Sequence, residues 1–257
     1  DKNGASVNID DPYGKRIHDS NKNYKSYSIV ENSDLKGEIK EYTNNGMKAE
    51  LTYMGQKYEF STKLVGDYNL YNLLGCIGML LNLGFTIDDV ISRVKNVDYV
   101  PGRFELVDKG QDFRVIVDYA HTDNGLENIL ETVRKITDNR VITIFGAGGD
   151  RDNAKRPKMA KAAAKYSDYL IVTSDNPRTE DPEKIIRDVE NGLKEINFPK
   201  EKYTVIINRE EAIKFGVEMS KSKDSLLIAG KGHEDYQILG REKIHFDDRE
   251  MARKYLK

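Results

Sequence analysis

The feature that most constrains the fold is a regular alternation of apolar runs and helical patterns after residue 100. Each short apolar run is followed by a longer segment whose apolar residues recur at helical spacing. The predicted strands are Phe113–Asp118, Val141–Phe145, Tyr169–Thr173, Tyr203–Ile207 and Ser225–Ala229, and Tyr236–Leu239 with Lys243–Phe246 predicts a terminal hairpin. The predicted helices are Asp123–Ile136, Asn153–Tyr166, Pro182–Ile196, Arg209–Met219 and Asp248–Leu256. This order predicts an α/β fold with an open, mostly parallel, Rossmann-like sheet and helices on both faces.

The first hundred residues predict strands followed by helices. The predicted strands are Ala5–Asp10, Leu35–Tyr42, Lys48–Tyr53 and Gln56–Ser61, and the predicted helices are Asp67–Leu83 and Ile87–Lys95. Thr43-Asn44-Asn45-Gly46 is a hairpin signal between two of these strands. Thr86, with Asp89 three residues later, has the features of a helix N-cap. Pro101-Gly102 is interpreted as the boundary between two domains, 1–100 and 101–257.

The composition excludes several classes of protein. The 257 residues are 38% hydrophobic and 33% charged, which is typical of a soluble globular protein. A net charge of −2 provides no overall basic field, so neither nucleic acid nor a membrane is an expected partner. No run of about 18 apolar residues is present to span a membrane. The single cysteine, Cys76, is interpreted as a small core residue among leucines, and a lone cysteine favours a reducing compartment.

Two short polar runs follow two of the predicted strands. They are Asp175-Asn176-Pro177-Arg178 and Gly230-Lys231-Gly232-His233-Glu234-Asp235. In an open parallel sheet, ligands bind beyond the carboxyl ends of the strands, so both runs are expected at one edge. An arginine can bind a carboxylate through two parallel hydrogen bonds, and the acids can bind an ammonium. The runs therefore predict a site for a small zwitterion, although Asn-Pro also commonly starts an ordinary turn.

The glycine-rich run Gly146–Arg151 lies between a predicted strand and a predicted helix, which is the position of a phosphate-binding turn. With Asp175 as a ribose-binding acid, this pattern makes a nicotinamide-dependent dehydrogenase an alternative. Arg151 stands where that fingerprint needs its third glycine, and the arginine instead suits a ligand carboxylate. For the glycines alone, a tight strand–helix turn is the favoured interpretation.

Three other groups of polar residues allow more than one interpretation. Lys155, Arg156, Lys158, Lys161 and Lys165 are interpreted as a solvated helix face. No second histidine lies at metal-ligand spacing from His121, so no zinc site is predicted. Asn69 and Asn72 share one helical face, and they are either caps or nucleotide ligands.

Taken together, these runs resemble the Mur ligases, the ATP-dependent amide-forming enzymes of peptidoglycan synthesis. The similarity is greatest to the members that add 2,6-diaminopimelate. The resembling stretches are Asn8-Ile9-Asp10-Asp11, Gly66-x-x-Asn69-x-x-Asn72, Pro101-Gly102-Arg103-Phe104-Glu105, Asp118-Tyr119-Ala120-His121-Thr122, Gly146–Arg151 with Lys155-Arg156-Pro157, Asp175–Arg178 and Gly230–Tyr236. They occur in family order along the whole chain.

The resemblance implies roles for individual residues. The implied nucleotide-binding residues are Asn69, Asn72, Arg103 and Asp118, with His121 near the phosphates. The implied amino-acid pocket consists of Arg151, Asp175, Asn176, Arg178, Gly230 and Glu234. In this family the Asp-Asn-Pro-Arg sequence accompanies meso-diaminopimelate, whereas relatives that add lysine differ at the arginine. No residue of this chain is assigned as catalytic or as a metal ligand.

The chain departs from the family pattern because it contains no Gly-x-x-Gly-Lys-Thr/Ser phosphate loop. The start, Asp1-Lys2-Asn3-Gly4, is interpreted as a turn within a longer protein. The resemblance thus implies a fragment that is inactive alone: 1–100 as the C-terminal part of the central ATP-binding domain, and 101–257 as the amino-acid-binding domain. Its implied cofactors are ATP and Mg²⁺, with the metal ligands outside this chain.

The implied reaction joins meso-diaminopimelate to UDP-MurNAc-L-Ala-D-Glu through an acyl phosphate. The implied partners are these two small molecules and ATP, and the implied state is a cytoplasmic monomer. A non-catalytic ligand-binding module remains the other alternative to a ligase.

Overall fold

A computed structural model describes residues 4–43 and 46–257. The described residues do not include residues 1–3 of the predicted N-terminal turn or Asn44-Asn45 of the predicted hairpin. The chain divides into two compact units, the first ending at Tyr99 and the second spanning Val100–Lys257.

The first unit contains a five-stranded mixed sheet in the order β1-β2-β3-β4-β5. The strands are β1 Ser6–Asn8, β2 Lys25–Ser28, β3 Leu35–Thr43, β4 Gly46–Tyr53 and β5 Gln56–Thr62, and the helices are α1 Pro12–Ser20, α2 Asp67–Asn82 and α3 Ile87–Val94. β1, β2 and β3 are parallel, whereas β3, β4 and β5 are antiparallel. The core is formed by Leu35, Met47 and Leu51 of the sheet with Leu70 and Leu74 of α2.

Two expectations for this unit are wrong. A helix, α1, precedes most of the strands, so the order is not strands followed by helices. Its signal is weak because the sequence is polar and contains Gly14, but Asp11 caps it by accepting from the amides of Tyr13 and Gly14 at 2.8 and 3.0 Å. Cys76 is exposed rather than buried, because the packed face of α2 is formed by its neighbours in the helical repeat, such as Leu73 and Ile77.

The second unit contains a six-stranded sheet in the order β10-β9-β8-β11-β7-β6, in which only the edge strand β6 is antiparallel. Its strands are β6 Glu105–Leu106, β7 Arg114–Asp118, β8 Val141–Phe145, β9 Tyr169–Val172, β10 Tyr203–Val205 and β11 Ser225–Ala229, and a separate hairpin joins β12 Tyr236–Leu239 to β13 Glu242–His245. Its helices are α4 Asp123–Ile136, α5 Lys155–Tyr166, α6 Pro182–Glu195, α7 Arg209–Met219 and α8 Asp248–Tyr255, with a 3₁₀ turn at Lys200–Lys202. The predicted α/β fold is confirmed.

The central strands β8 and β11 are buried along their whole length, as expected for parallel strands covered on both faces. On one face, Ile142, Ile144 and Ile228 pack against Ile213 of α7 and Ala252 of α8. The intervening side chains point to the opposite face, because side chains alternate along a strand. This packing places the loops after β7, β8, β9 and β11 together at the carboxyl edge of the sheet.

In the part of the chain described here, no helix has the length and apolar character needed to cross a membrane.

Candidate functional site

A cavity of about 570 Å³ lies in the second unit at the carboxyl edge of the sheet. Its walls are the loops that follow β7, β8, β9 and β11, together with the N-terminal part of α5. The residues expected in an amino-acid pocket all line it: Arg151, Asp175, Asn176, Arg178, Gly230 and Glu234. His121, expected near the phosphates, lines the same cavity. The structure therefore brings together side chains that lie more than 100 residues apart in sequence.

The glycine turn after β8 is fitted against the loop after β9. The Gly149 amide donates to the carbonyl of Asn176 at 2.9 Å, and Arg178 Nη1 donates to the carbonyl of Gly149 at 2.7 Å. A Cβ atom at Gly149 would lie 1.8 Å from the carbonyl oxygen of Pro177, so any side chain there would force the two loops apart. The Asp150 carboxylate adds a bond from the Thr179 hydroxyl at 3.0 Å. The glycines thus serve contact between the two loops.

Arg178 is held by the backbone at one guanidinium nitrogen. Nη1 donates to the carbonyls of Gly149 and Asn176, while no described residue accepts from Nη2 or Nε. The residue has a φ of +53°, which is unusual for a side chain of this size and is typical of functional loops. The guanidinium is therefore fixed in place with two nitrogens available to a carboxylate.

Asp175 provides a buried acid without a donor. It is 8% exposed and lines the cavity, and its carboxylate accepts no hydrogen bond from any described residue. The loop after β11 passes close to it: a Cβ atom at Gly230, where φ is +121°, would lie 2.7 Å from Asp175 Oδ2. A glycine is therefore required at position 230 for both space and conformation. The carboxylate is attracted to the buried Arg209 guanidinium, and its oxygens remain able to accept hydrogen bonds from a ligand ammonium.

Glu234 also lines the cavity, and its carboxylate accepts three hydrogen bonds within the protein, which leaves acceptor capacity for a ligand. Oε2 accepts from Asn176 Nδ2 at 3.0 Å and from Lys231 Nζ at 3.2 Å, and Oε1 accepts from the Tyr236 hydroxyl at 3.4 Å. The sequence analysis named Lys231 only as a member of the polar run from Gly230 to Asp235 and assigned it no role of its own. No local sequence signal marked Lys231 for burial, because its partner Asn176 lies 55 residues away in the sequence.

Two arginines near the glycine turn have different environments. Arg151 is exposed and donates to the carbonyl of Asp150 at 3.1 Å. Arg156 is 1% exposed and pairs with Glu180 at 2.8 Å and Asp188 at 2.9 Å. The interpretation of a solvated helix face is therefore wrong for Arg156. Its side chain faces α6 rather than solvent, and it also donates to the Gly148 carbonyl at 3.3 Å, which supports the glycine turn.

Arg103, Asp118 and His121 lie together at the end of β7. The Asp118 carboxylate accepts from the amides of Phe104 and Ala120, both at 2.8 Å, and burial raises the pKa of this carboxyl group. The Arg103 guanidinium lies 4.9 Å from the centre of the Tyr119 ring, and the His121 ring lies 4.6 Å from it. The cluster offers a cation, an aromatic face and an imidazole, and its nucleotide role stays a prediction.

Asn69 and Asn72 lie on α2 in the first unit. Asn69 is buried and donates from Nδ2 to the Val65 carbonyl at 2.9 Å, and its Oδ1 is 3.5 Å from Asn72 Nδ2. Neither caps the backbone amides of α2, whose first turn has no side-chain cap. Asn72 is exposed, and the nucleotide role of both residues also stays a prediction.

Within residues 4–43 and 46–257, no group of three or more His, Cys, Asp or Glu side chains is placed to hold a metal ion.

Comparison with known proteins identifies the family to which the chain is similar. Residues 102–232 match the family described as Mur ligase, glutamate ligase domain, and residues 1–80 match the Mur ligase middle domain. The UDP-N-acetylmuramoyl-L-alanyl-D-glutamate–2,6-diaminopimelate ligase of Fusobacterium nucleatum is 47% identical over 259 residues, which cover 99% of this chain and 52% of that protein. The chain spans about half the length of the curated relatives that it matches.

Solved structures agree with this result. A structure of a UDP-N-acetylmuramoyl-L-alanyl-D-glutamate–2,6-diaminopimelate ligase is 33% identical with a TM-score of 0.69, and the match covers 98% of this chain and 52% of that one. The UDP-N-acetylmuramate-alanine ligase of Thermotoga maritima, at 20% identity, has a TM-score of 0.68 over 98% of this chain and 50% of that one, and it shows the shared fold alone. These matches argue against the dehydrogenase alternative. The chain belongs to the Mur ligase family.

Proposed function

We propose that this chain provides the amino-acid site of an ATP-dependent ligase that joins meso-diaminopimelate to UDP-MurNAc-L-Ala-D-Glu. The observation that carries the proposal is the Arg178 guanidinium, which is fixed at Nη1 and has Nη2 and Nε available in the cavity that the Asp175 carboxylate also lines. Diaminopimelate carries an amino group and a carboxylate at each end, whereas lysine lacks the far carboxylate. The names of the relatives support the same substrate.

In this proposal, the cavity residues bind opposite charges of the incoming amino acid. Arg178 and Arg151 bind the distal carboxylate, and Asp175 and Glu234 bind the ammonium next to it. Asn176 fixes Glu234, and Gly230 keeps the loop after β11 clear of Asp175. Losing a charged partner in a desolvated pocket costs roughly 2–5 kcal/mol, which is enough to separate diaminopimelate from lysine.

The proposed reaction begins when ATP phosphorylates the side-chain carboxylate of D-glutamate. The free amine of diaminopimelate attacks the resulting acyl phosphate, a tetrahedral intermediate forms, and inorganic phosphate leaves as the amide bond is made. The residues of this chain contribute by holding the amine in place, and such positioning can supply several kcal/mol of the rate enhancement.

We propose that residues of each unit contact the nucleotide. Residues 1–100 are proposed to be the C-terminal part of the central ATP-binding domain, with Asn69 and Asn72 near the nucleotide. Residues 101–257 are proposed to contribute Arg103 and His121, with Asp118 reaching the ribose hydroxyls. The residues that bind magnesium are proposed to lie outside this chain. The complete protein is proposed to be a cytoplasmic monomer with small-molecule partners.

Calorimetric titration of the complete gene product should distinguish the two diamino acids. We expect meso-diaminopimelate to bind at least about 30-fold more tightly than L-lysine, because only the former can occupy Arg178 with its far carboxylate. The titrations are run with and without an ATP analogue, because the nucleotide is proposed to complete the site. Equal affinities for the two ligands would refute the assignment of the cavity.

The 257-residue chain by itself should release no phosphate from ATP. It contains no Gly-x-x-Gly-Lys-Thr/Ser loop to hold the transferred phosphate. The measurement is phosphate release in the presence of UDP-MurNAc-L-Ala-D-Glu, meso-diaminopimelate, ATP and Mg²⁺, with the complete gene product as the positive control. Release of phosphate from ATP by the chain alone would contradict the proposal that the transferred phosphate is bound by residues outside this chain.

A further inference from the structure

Lys231 is a buried cation to which the proposed function gives no role. Its side chain is 0% exposed and lies in the loop directly after β11, next to Gly230 of the cavity. Burying an ammonium group is unfavourable unless charged or polar partners replace its water. A lysine at this buried position is unfavourable as packing alone. Its polar contacts therefore indicate what the ammonium does there.

The ammonium of Lys231 closes a three-membered network of polar groups. Nζ lies 3.2 Å from Glu234 Oε2 and 3.3 Å from Asn176 Oδ1, and Asn176 Nδ2 donates to the same Glu234 oxygen at 3.0 Å. The amide of Ile238 donates to Asn176 Oδ1 at 3.0 Å. These contacts fix which end of the Asn176 amide faces Glu234, since Oδ1 receives two donors and Nδ2 meets an acceptor.

The network connects Lys231 to the cavity without placing it there. Asn176 and Glu234 line the cavity, whereas Lys231 is not among the lining residues. We propose that Lys231 is a positioning residue for the amino-acid substrate: its ammonium holds Glu234, directly and through Asn176, in the orientation in which this carboxylate meets the ligand. This inference rests on the proposed function, because the ligand is the diamino acid assigned there.

The test is a double-mutant cycle in the complete gene product. Lys231→Met removes the ammonium at similar volume, and we expect it to raise the Kd and the KM for meso-diaminopimelate at least tenfold while the KM for ATP changes less than about twofold. In a Glu234→Gln background, the additional Lys231→Met change should weaken the affinity for meso-diaminopimelate less than about twofold, because Lys231 acts through Glu234. A role in packing alone would weaken the affinity by the same factor in both backgrounds.

Lys243→Met is the matched control. Lys243 Nζ lies 3.7 Å from the centre of the Tyr236 ring, which Lys231 also approaches at 5.4 Å, but no described hydrogen bond joins Lys243 to Glu234 or Asn176. The control should leave the affinity for meso-diaminopimelate within about twofold of the parent. Circular dichroism and the Tm establish that each variant is folded.

The outcomes separate the two proposals. Failure of the parent protein to bind meso-diaminopimelate would overturn the proposed function and this inference with it. Binding by the parent together with an equal loss in both backgrounds, or no loss in a folded Lys231→Met variant, would overturn the role of Lys231 alone. If the Lys231→Met variant does not fold, the Glu234→Gln variant is compared with the double variant. Equal affinities of these two variants for meso-diaminopimelate support the role of Lys231, and a tenfold difference overturns it.

Discussion

Replacing Arg178 by alanine or lysine in the complete gene product is expected to raise the KM for meso-diaminopimelate at least about 30-fold. The KM for ATP should change less than about twofold. Alanine removes the charge, and lysine keeps it but cannot make two parallel bonds to a carboxylate while also bonding the Gly149 carbonyl. Steady-state kinetics with each substrate varied in turn provides the measurement.

The control for this prediction is Arg187→Lys. Arg187 lies on α6 in the same unit, its side chain is 58% exposed, and it pairs only with the exposed acids Asp181 and Glu183 among the described residues. It should behave like the parent in both KM values. If Arg178 variants raised the two KM values by the same factor, the guanidinium would be supporting the fold or the nucleotide site rather than the amino acid.

The second large effect concerns stability. Asp248→Ala should lower the free energy of unfolding of the second unit by about 3–5 kcal/mol. Asp248 and Arg209 are both 0% exposed at their side chains and are joined by two bonds of 2.8 Å, from Nε to Oδ1 and from Nη2 to Oδ2. Removing the acid takes away the counter-charge to which this buried guanidinium is hydrogen-bonded, and its Nη1 already has no partner among the described residues.

Urea denaturation followed by circular dichroism measures this effect, with each unit's transition fitted separately. Glu250→Ala is the matched control, since Glu250 lies on the same helix in an exposed pair with His245. That variant should leave the unfolding midpoint nearly unchanged. An Asp248→Ala midpoint equal to that of the control would mean that the buried pair contributes little.

The Arg209–Asp248 pair also bears on the site. Arg209 Nη2 donates to the Ala229 carbonyl at 3.0 Å, and Ala229 immediately precedes Gly230 of the cavity. The pair therefore connects α7 and α8 to the end of β11 at the point where the chain leaves the sheet. A loss of stability in Asp248→Ala should be accompanied by weaker binding of the amino acid.

The order of strands and helices in the second unit was predictable because it depends on local periodicity, as in Val141–Phe145 and Ser225–Ala229. The meeting of Asp175 with Gly230 was predictable because parallel strands end at one edge of the sheet. In the first unit, α1 was missed because its sequence has few apolar residues and its main signal is the Asp11 cap.

Burial of the charged residues was not predictable, because it depends on partners that are distant in sequence. Arg156 is buried by Glu180 and Asp188, which are 24 and 32 residues away. Lys231 meets Asn176, which is 55 residues away. Helical periodicity shows which face of α5 carries charge, but not that a neighbouring helix supplies the opposite charges.

The contact between the glycine turn and the Asp-Asn-Pro-Arg loop has a consequence for protein engineering. Gly149 both donates to the Asn176 carbonyl and accepts from Arg178, and Pro177 leaves no room for a larger residue at position 149. Grafting the second loop alone from a homologue with another amino-acid preference would pair it with a turn shaped for a different partner. A chimera designed to accept a new substrate should therefore exchange both loops as one module.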